Sequence, residues 1–145
     1  MSQVPTGFAY AAVLAALTGE TVRCGLLVGT TTTPFDPDRR FVADIVADEA
    51  SGTGYARVIV TGVTVTRNTT SDEIEIDGDD AVFPDLDADN GPITGVFYYY
   101  EVTNDADHVI IVTHDISSIT EADRTPDGTD FIIRPGSVGF AKATV

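Results

Sequence analysis

Apolar and polar positions alternate along most of this chain. In Val22–Val28, Val22, Cys24, Leu26 and Val28 alternate with Arg23, Gly25 and Leu27, the period-2 signature of a strand with at least one buried face. Ile74 and Ile76 alternate with Glu73, Glu75 and Asp77, which fits a half-buried antiparallel strand. Between them, ARVIV and VTVT flank Thr61 and Gly62 and read as one bulged strand or a tight pair. Further on, Ile93–Val102 and His108–His114 are richly apolar and are separated by Thr103–Asp107, a hairpin-length loop, so they are expected to pair antiparallel at the sheet centre. Tyr98, Tyr99 and Tyr100 must then divide between the two faces. FIIRPGSV and GFAKATV supply two last short strands, and Pro135 confines the first to an edge or a strand end.

Two stretches depart from the strand rhythm. FAYAAVLAAL, with Thr6 as N-cap and Gly19 closing it, predicts an N-terminal helix. Phe41, Val42, Ile45 and Val46 fall at helical spacing after Asp36 and Pro37, which predicts one short helical turn. The expectation is an all-β fold, an antiparallel sandwich or flattened barrel, with a helical segment over residues 1–19 and a β domain over 20–145. Its expected core is Val22, Cys24, Leu26, Val28, Phe41, Ile45, Val58, Val60, Val63, Val65, Ile74, Ile76, Val82, Phe83, Val96, Tyr98, Val109, Ile111, Phe131, Ile133 and Phe140.

Composition narrows the function classes. The 145 residues carry a formal charge of -15, which argues against a nucleic-acid partner and against an anionic membrane surface. Ten apolar residues are about half a membrane span, and Met1, Ser2 and Gln3 provide no basic start for a secretory signal. Lys142 is the sole lysine among 8 basic residues, and aspartates outnumber glutamates among the 23 acidic ones. Such surfaces suit molar salt, where self-repulsion is screened, so a halophilic host is expected. Cys24, the one cysteine, reads as a small buried hydrophobe.

Candidate chemistry is sparse. Asp85, Asp87 and Asp89, followed by Asn90 and Gly91, alternate oxygen ligands much as a calcium loop does, although Val96 stands where an EF-hand needs its glutamate. Asp77, Asp79 and Asp80 could add ligands. Asn68-Thr69-Thr70 is a glycosylation acceptor pattern on an expected hairpin tip. His108 and His114 lie about 20 Å apart along a strand, too far to share a metal. With no nucleophile motif and no phosphate loop or dinucleotide fingerprint, an enzyme is not expected.

The run VRCGLL, the loop TTTTPFDPD, a Phe-containing turn ending in an acidic residue, EASGTGY, VTGVTVT and the Asp79–Pro84 segment DDAVFP resemble small β-rich virion structural proteins of tailed bacterial and archaeal viruses, of the capsid-decoration or head-fibre type. The resemblance covers roughly residues 8–83, and EASGTGY, EVSGTGY in the family, is its most specific part. It implies a capsid decoration protein on the outer surface of the head, with a neck or tail component or a carbohydrate- or receptor-binding fibre module as the alternative. The implied partners are the major capsid protein or other virion proteins, and a homo-oligomer, trimer first and pentamer second. Phe8, Tyr10, Val13, Leu14 and Leu17 are the expected capsid or subunit interface, because apolar side chains surround the helix.

Overall fold

The computed structural model describes residues 6–29, 38–115, 125–136 and 139–144. Among the described residues, helix α1 spans Thr6–Leu17 and nine strands follow: β1 Val22–Leu27, β2 Val58–Ile59, β3 Thr64–Asn68, β4 Glu73–Asp77, β5 Ala81–Phe83, β6 Gly95–Tyr100, β7 Val109–Asp115, β8 Phe131–Ile133 and β9 Ala141–Thr144. The strands form three antiparallel sheets in the orders β2-β1-β6-β7, β3-β4-β9 and β5-β8. The fold is thus mostly β, with one helix and short 3-10 turns. Helix α1 stops where Gly19 takes φ +77, a left-handed conformation that costs glycine little. It then lies along β3 and β4.

Period-2 alternation sets which side chains go inward. Cys24 pairs with Tyr98 across β1 and β6, and Leu26 with Val96, so one face of the four-stranded sheet feeds the main core with these four side chains. Ile76, Phe83 and Ile133 approach from the other two sheets and Phe140 from just before β9, and the Tyr98 and Phe140 rings stack at 4.3 Å. Burying a large apolar side chain contributes about 1.5–3 kcal/mol, so this layer dominates the stability.

The opposite face of the same sheet is buried as well. Leu27, Phe97 and Tyr99 point there and meet Val42 and Ile45. Those two residues come from the segment after Asp38, which crosses the sheet as a strap through two consecutive 3-10 turns, Val42–Asp44 and Val46–Asp48, rather than the one helical turn expected. Asp44 opens the first of them by accepting from the backbone N–H groups of Arg40 and Phe41. Those bonds hold the Asp44 carboxyl below the usual carboxylate range. The proposed capping pair Asp36 and Pro37 lies outside the described residues. The strap is tied down by Val42 N–H to His108 O, Ala43 N–H to Asp105 O and Ala50 N–H to Leu26 O.

Three expectations change. ARVIV and VTVT form neither one strand nor a pair, because β2 joins the four-stranded sheet and β3 the three-stranded one, with Gly62 at φ +64 between them. Val82 is 39% exposed, since Ala81 and Phe83 hold the inward parity of β5. The β6–β7 pairing is as expected, but β6 is the inner strand and β7 an edge, with a register shift between Tyr98 and Tyr99. Tyr98 and Tyr99 do divide between the two faces. β8 ends at Ile133, ahead of Pro135.

Candidate functional site

The segment Glu49–Tyr55 is a corner in which Glu49, Ala50, Gly52, Thr53 and Tyr55 have hydrogen-bond partners elsewhere in the chain. Ala50 is buried beside β1. The Gly52 N–H donates to Asn90 Oδ1 at 2.7 Å, and a Cβ on Gly52 would stand 2.5 Å from Asp89 Oδ1, so only glycine fits. Thr53 donates through its N–H to Asp89 Oδ1 and through its hydroxyl to Asp89 Oδ2, each at 2.9 Å. Gly54 has φ +79 and its α-carbon faces the Asp85 carbonyl oxygen, 2.6 Å from where a Cβ would lie. Tyr55 stacks on Phe83, accepts from the Leu26 N–H at 3.1 Å and donates to Glu49 Oε1 at 2.6 Å. Burial, and then the Glu49 charge, push the Tyr55 hydroxyl far above its ordinary pKa, so it stays a donor.

Arg57 gathers this corner onto the sheet. Its Nε and Nη2 donate to the two oxygens of Glu49 at 2.7 Å each. Nη1 and Nη2 donate to Asp105 at 2.7 and 3.0 Å, and Nη1 reaches the Tyr99 hydroxyl at 3.4 Å. All five N–H groups of the guanidinium are therefore used, in two forks that match carboxylate geometry. The plane also lies over the Phe97 and Tyr99 rings, 5.8 and 5.3 Å from their centroids. The bonds to Glu49 raise the Arg57 pKa further, and the bond from Arg57 holds Asp105 below the usual carboxylate range. Gly25 makes room for all this, since a Cβ there would intrude on the Phe97 ring. Sequence reasoning missed Arg57. Its signal was an arginine set in the apolar run ARVIV of a chain with few cations.

The aspartate loop serves the same corner. Ala88–Asn90 is a 3-10 turn capped by Asp87, whose Oδ1 accepts from the Asp89 N–H at 3.3 Å. Asn90 is 2% exposed, and its amide donates to Thr53 O at 2.7 Å and Asp87 O at 3.1 Å while its oxygen takes the Gly52 N–H. Asp85 sits at φ +50 with its N–H toward Asp130. Oxygens of Asp87, Asp89 and Asn90, three of the expected calcium ligands, accept from backbone and hydroxyl donors. Among the described residues no group of three or more His, Cys, Asp or Glu side chains is arranged to hold a metal ion. Asp79 is drawn to the Thr61 hydroxyl and Asp80 to Arg134.

Of the expected interface residues, Val13 and Leu17 pack on the main core, Tyr10 is half-buried and Leu14 is 40% exposed. The Phe8 side chain lies outside the described residues. Asn68 closes the β3–β4 turn by accepting from Thr70 and Ser71 N–H, beside exposed Thr69 and Thr70. His108 accepts from the Val102 N–H, and His114 meets the Phe140 carbonyl, so each histidine has a separate structural partner. Cys24 is fully buried, which raises its thiol pKa strongly. The Tyr98 hydroxyl lies beside that sulfur and makes no hydrogen bond of ordinary geometry.

As arranged, these groups clamp backbone rather than expose a reactive atom. The chain matches no protein-family model, no curated protein and no solved structure. No described helix is long and apolar enough to cross a membrane.

Proposed function

We propose that this chain is a structural protein of a tailed-virus particle, a capsid decoration on the outer surface of the head. The observation that carries the reading is α1, a helix with no charged residue and with Ala11, Ala12, Leu14 and Ala15 exposed, on a chain of net charge -15. An apolar, uncharged face on so acidic a surface suits assembly with a capsid or a neighbouring subunit. The residues of EASGTGY support the reading from the other side, because they build a rigid scaffold through Arg57 and Asn90. We take the three sheets to close as a flattened sandwich around the Cys24–Tyr98 core, and the acidic surface to suit a halophilic host.

The test is reconstitution on capsids that lack the protein. Intact chain is expected to bind at saturating, symmetric occupancy, and chain without residues 1–19 to fold but stay unbound. Normal occupancy by the truncated chain would refute α1 as the assembly surface.

A further inference from the structure

Helix α1 lies against the edge strand β3 of its sheet, and the cleft between them, of about 420 Å³, has Leu14, Leu17, Val63 and Val65 among its lining residues together with Glu20. On the outer side of the helix, Ala11, Leu14, Ala15 and Thr18 are exposed at helical spacing and form one uncharged stripe. The charges near it sit at its ends. The Arg67 guanidinium lies against Gly7 in the first turn, where a Cβ would be 3.3 Å from Nη1. Glu20 follows the last turn. Both are exposed, and neither is in an ion pair among the described residues. Each also stands at the helix end whose dipole has its own sign, positive at the N-terminus and negative at the C-terminus, so neither stabilises its own helix.

We propose that two copies of this chain pair through α1 and the β3 edge, helix antiparallel to helix across a two-fold axis, with Arg67 of each copy meeting Glu20 of the other. An antiparallel register that sets Gly7 opposite Glu20 brings the two Leu14 side chains to the axis. Ala11 and Ala15 flank them and let the backbones approach to about 8 Å, the close end of helix packing. Copies of an acidic chain repel wherever carboxylates face each other, and this stripe brings none together. A 12-residue helix is about 18 Å long and alone falls short of the ~600 Å² per copy of a stable interface, so the cleft walls at Val63 and Val65 must contribute. The pairing goes beyond the particle reading, because it belongs to the isolated chain. It also gives a dimer as the unit, in place of the trimer or pentamer expected from capsid symmetry, since the two unpaired charges lie at opposite ends of one helix.

Sedimentation equilibrium of the full chain over a concentration series, in about 0.15 M salt where surface charges still act, tests this. A concentration-dependent dimer is expected. Leu14→Glu, at an exposed position, should weaken it about tenfold or more while circular dichroism stays unchanged. Glu20→Arg should weaken it severalfold, and Glu20→Arg with Arg67→Glu should restore it. A monomer at the highest concentration, a trimer or pentamer, or a double variant no tighter than Glu20→Arg would overturn the pairing. A dimer absent from particles would leave the pairing standing and remove the particle role, and a monomer bound to capsids would do the reverse.

Discussion

Replacing Arg57 with methionine keeps most of the volume over Phe97 and Tyr99 and removes both carboxylate forks. The cost follows from what each partner is left with. The Glu49 side chain is 9% exposed and would keep only the Tyr55 hydroxyl, and an uncompensated buried charge costs about 3–5 kcal/mol. The Arg57 site is 19% exposed, so water can enter, and the low end, about 3 kcal/mol, is expected. Asp105 is 37% exposed and returns to solvent, which adds only ~0.5 kcal/mol after screening. Against a domain stability of about 5–15 kcal/mol this is a large loss, about 7–14 °C in Tm for a chain of this length. Urea unfolding gives the free energy directly. Arg57→Met with Glu49→Gln should recover part of it, because the stranded charge is gone and the single losses no longer add. Arg57→Met within ~1 kcal/mol of the parent, or a double variant equal to the sum of the singles, would refute the clamp.

Gly25→Ala should cost about 1–3 kcal/mol in the same assay, because the new methyl group must displace the Phe97 ring in a packed layer; an unchanged midpoint would show that layer to be loose. The pKa of Asp105 is lowered on folding, chiefly by the bond from Arg57, so its contribution is present above the unfolded value near 3.9 and is lost as pH falls through the folded value. The parent should therefore lose stability below about pH 4, and Arg57→Met should show a shallower acid loss; parallel pH profiles would contradict this. Millimolar calcium should leave Tm unchanged, since oxygens of Asp89 and Asn90 are spent on Thr53 and Gly52; a rise abolished by Asp87→Ala would restore the calcium reading.

What the sequence made legible is what one physical signal decides. Alternation located Cys24 and Leu26 of β1 and Ile74 and Ile76 of β4 in the core. Leu27, Phe97 and Tyr99 were missed because a sheet covered on both sides loses its alternation, and the covering strap carries only Val42 and Ile45 as buried anchors. Alternating aspartates look the same whether their oxygens await a cation or backbone N–H groups. The donors that Gly52 and Thr53 bring to Asn90 and Asp89 lie some 36 to 38 residues away in sequence, where no local pattern shows them. The same separation hid Arg57, whose partners Glu49 and Asp105 lie 8 and 48 residues from it. Glu49, Gly52, Thr53, Gly54 and Tyr55 of EASGTGY hold the corner through partners that no local pattern shows.

The proposed particle role is tested most directly by quantitative mass spectrometry of tailed-virus particles purified from a lysate that contains this chain. The expected result is the chain present at a copy number on the scale of the capsid's symmetry-equivalent sites, and released from intact heads by conditions that leave the capsid closed. Its absence from purified particles, with abundant chain free in the lysate, would contradict the structural role.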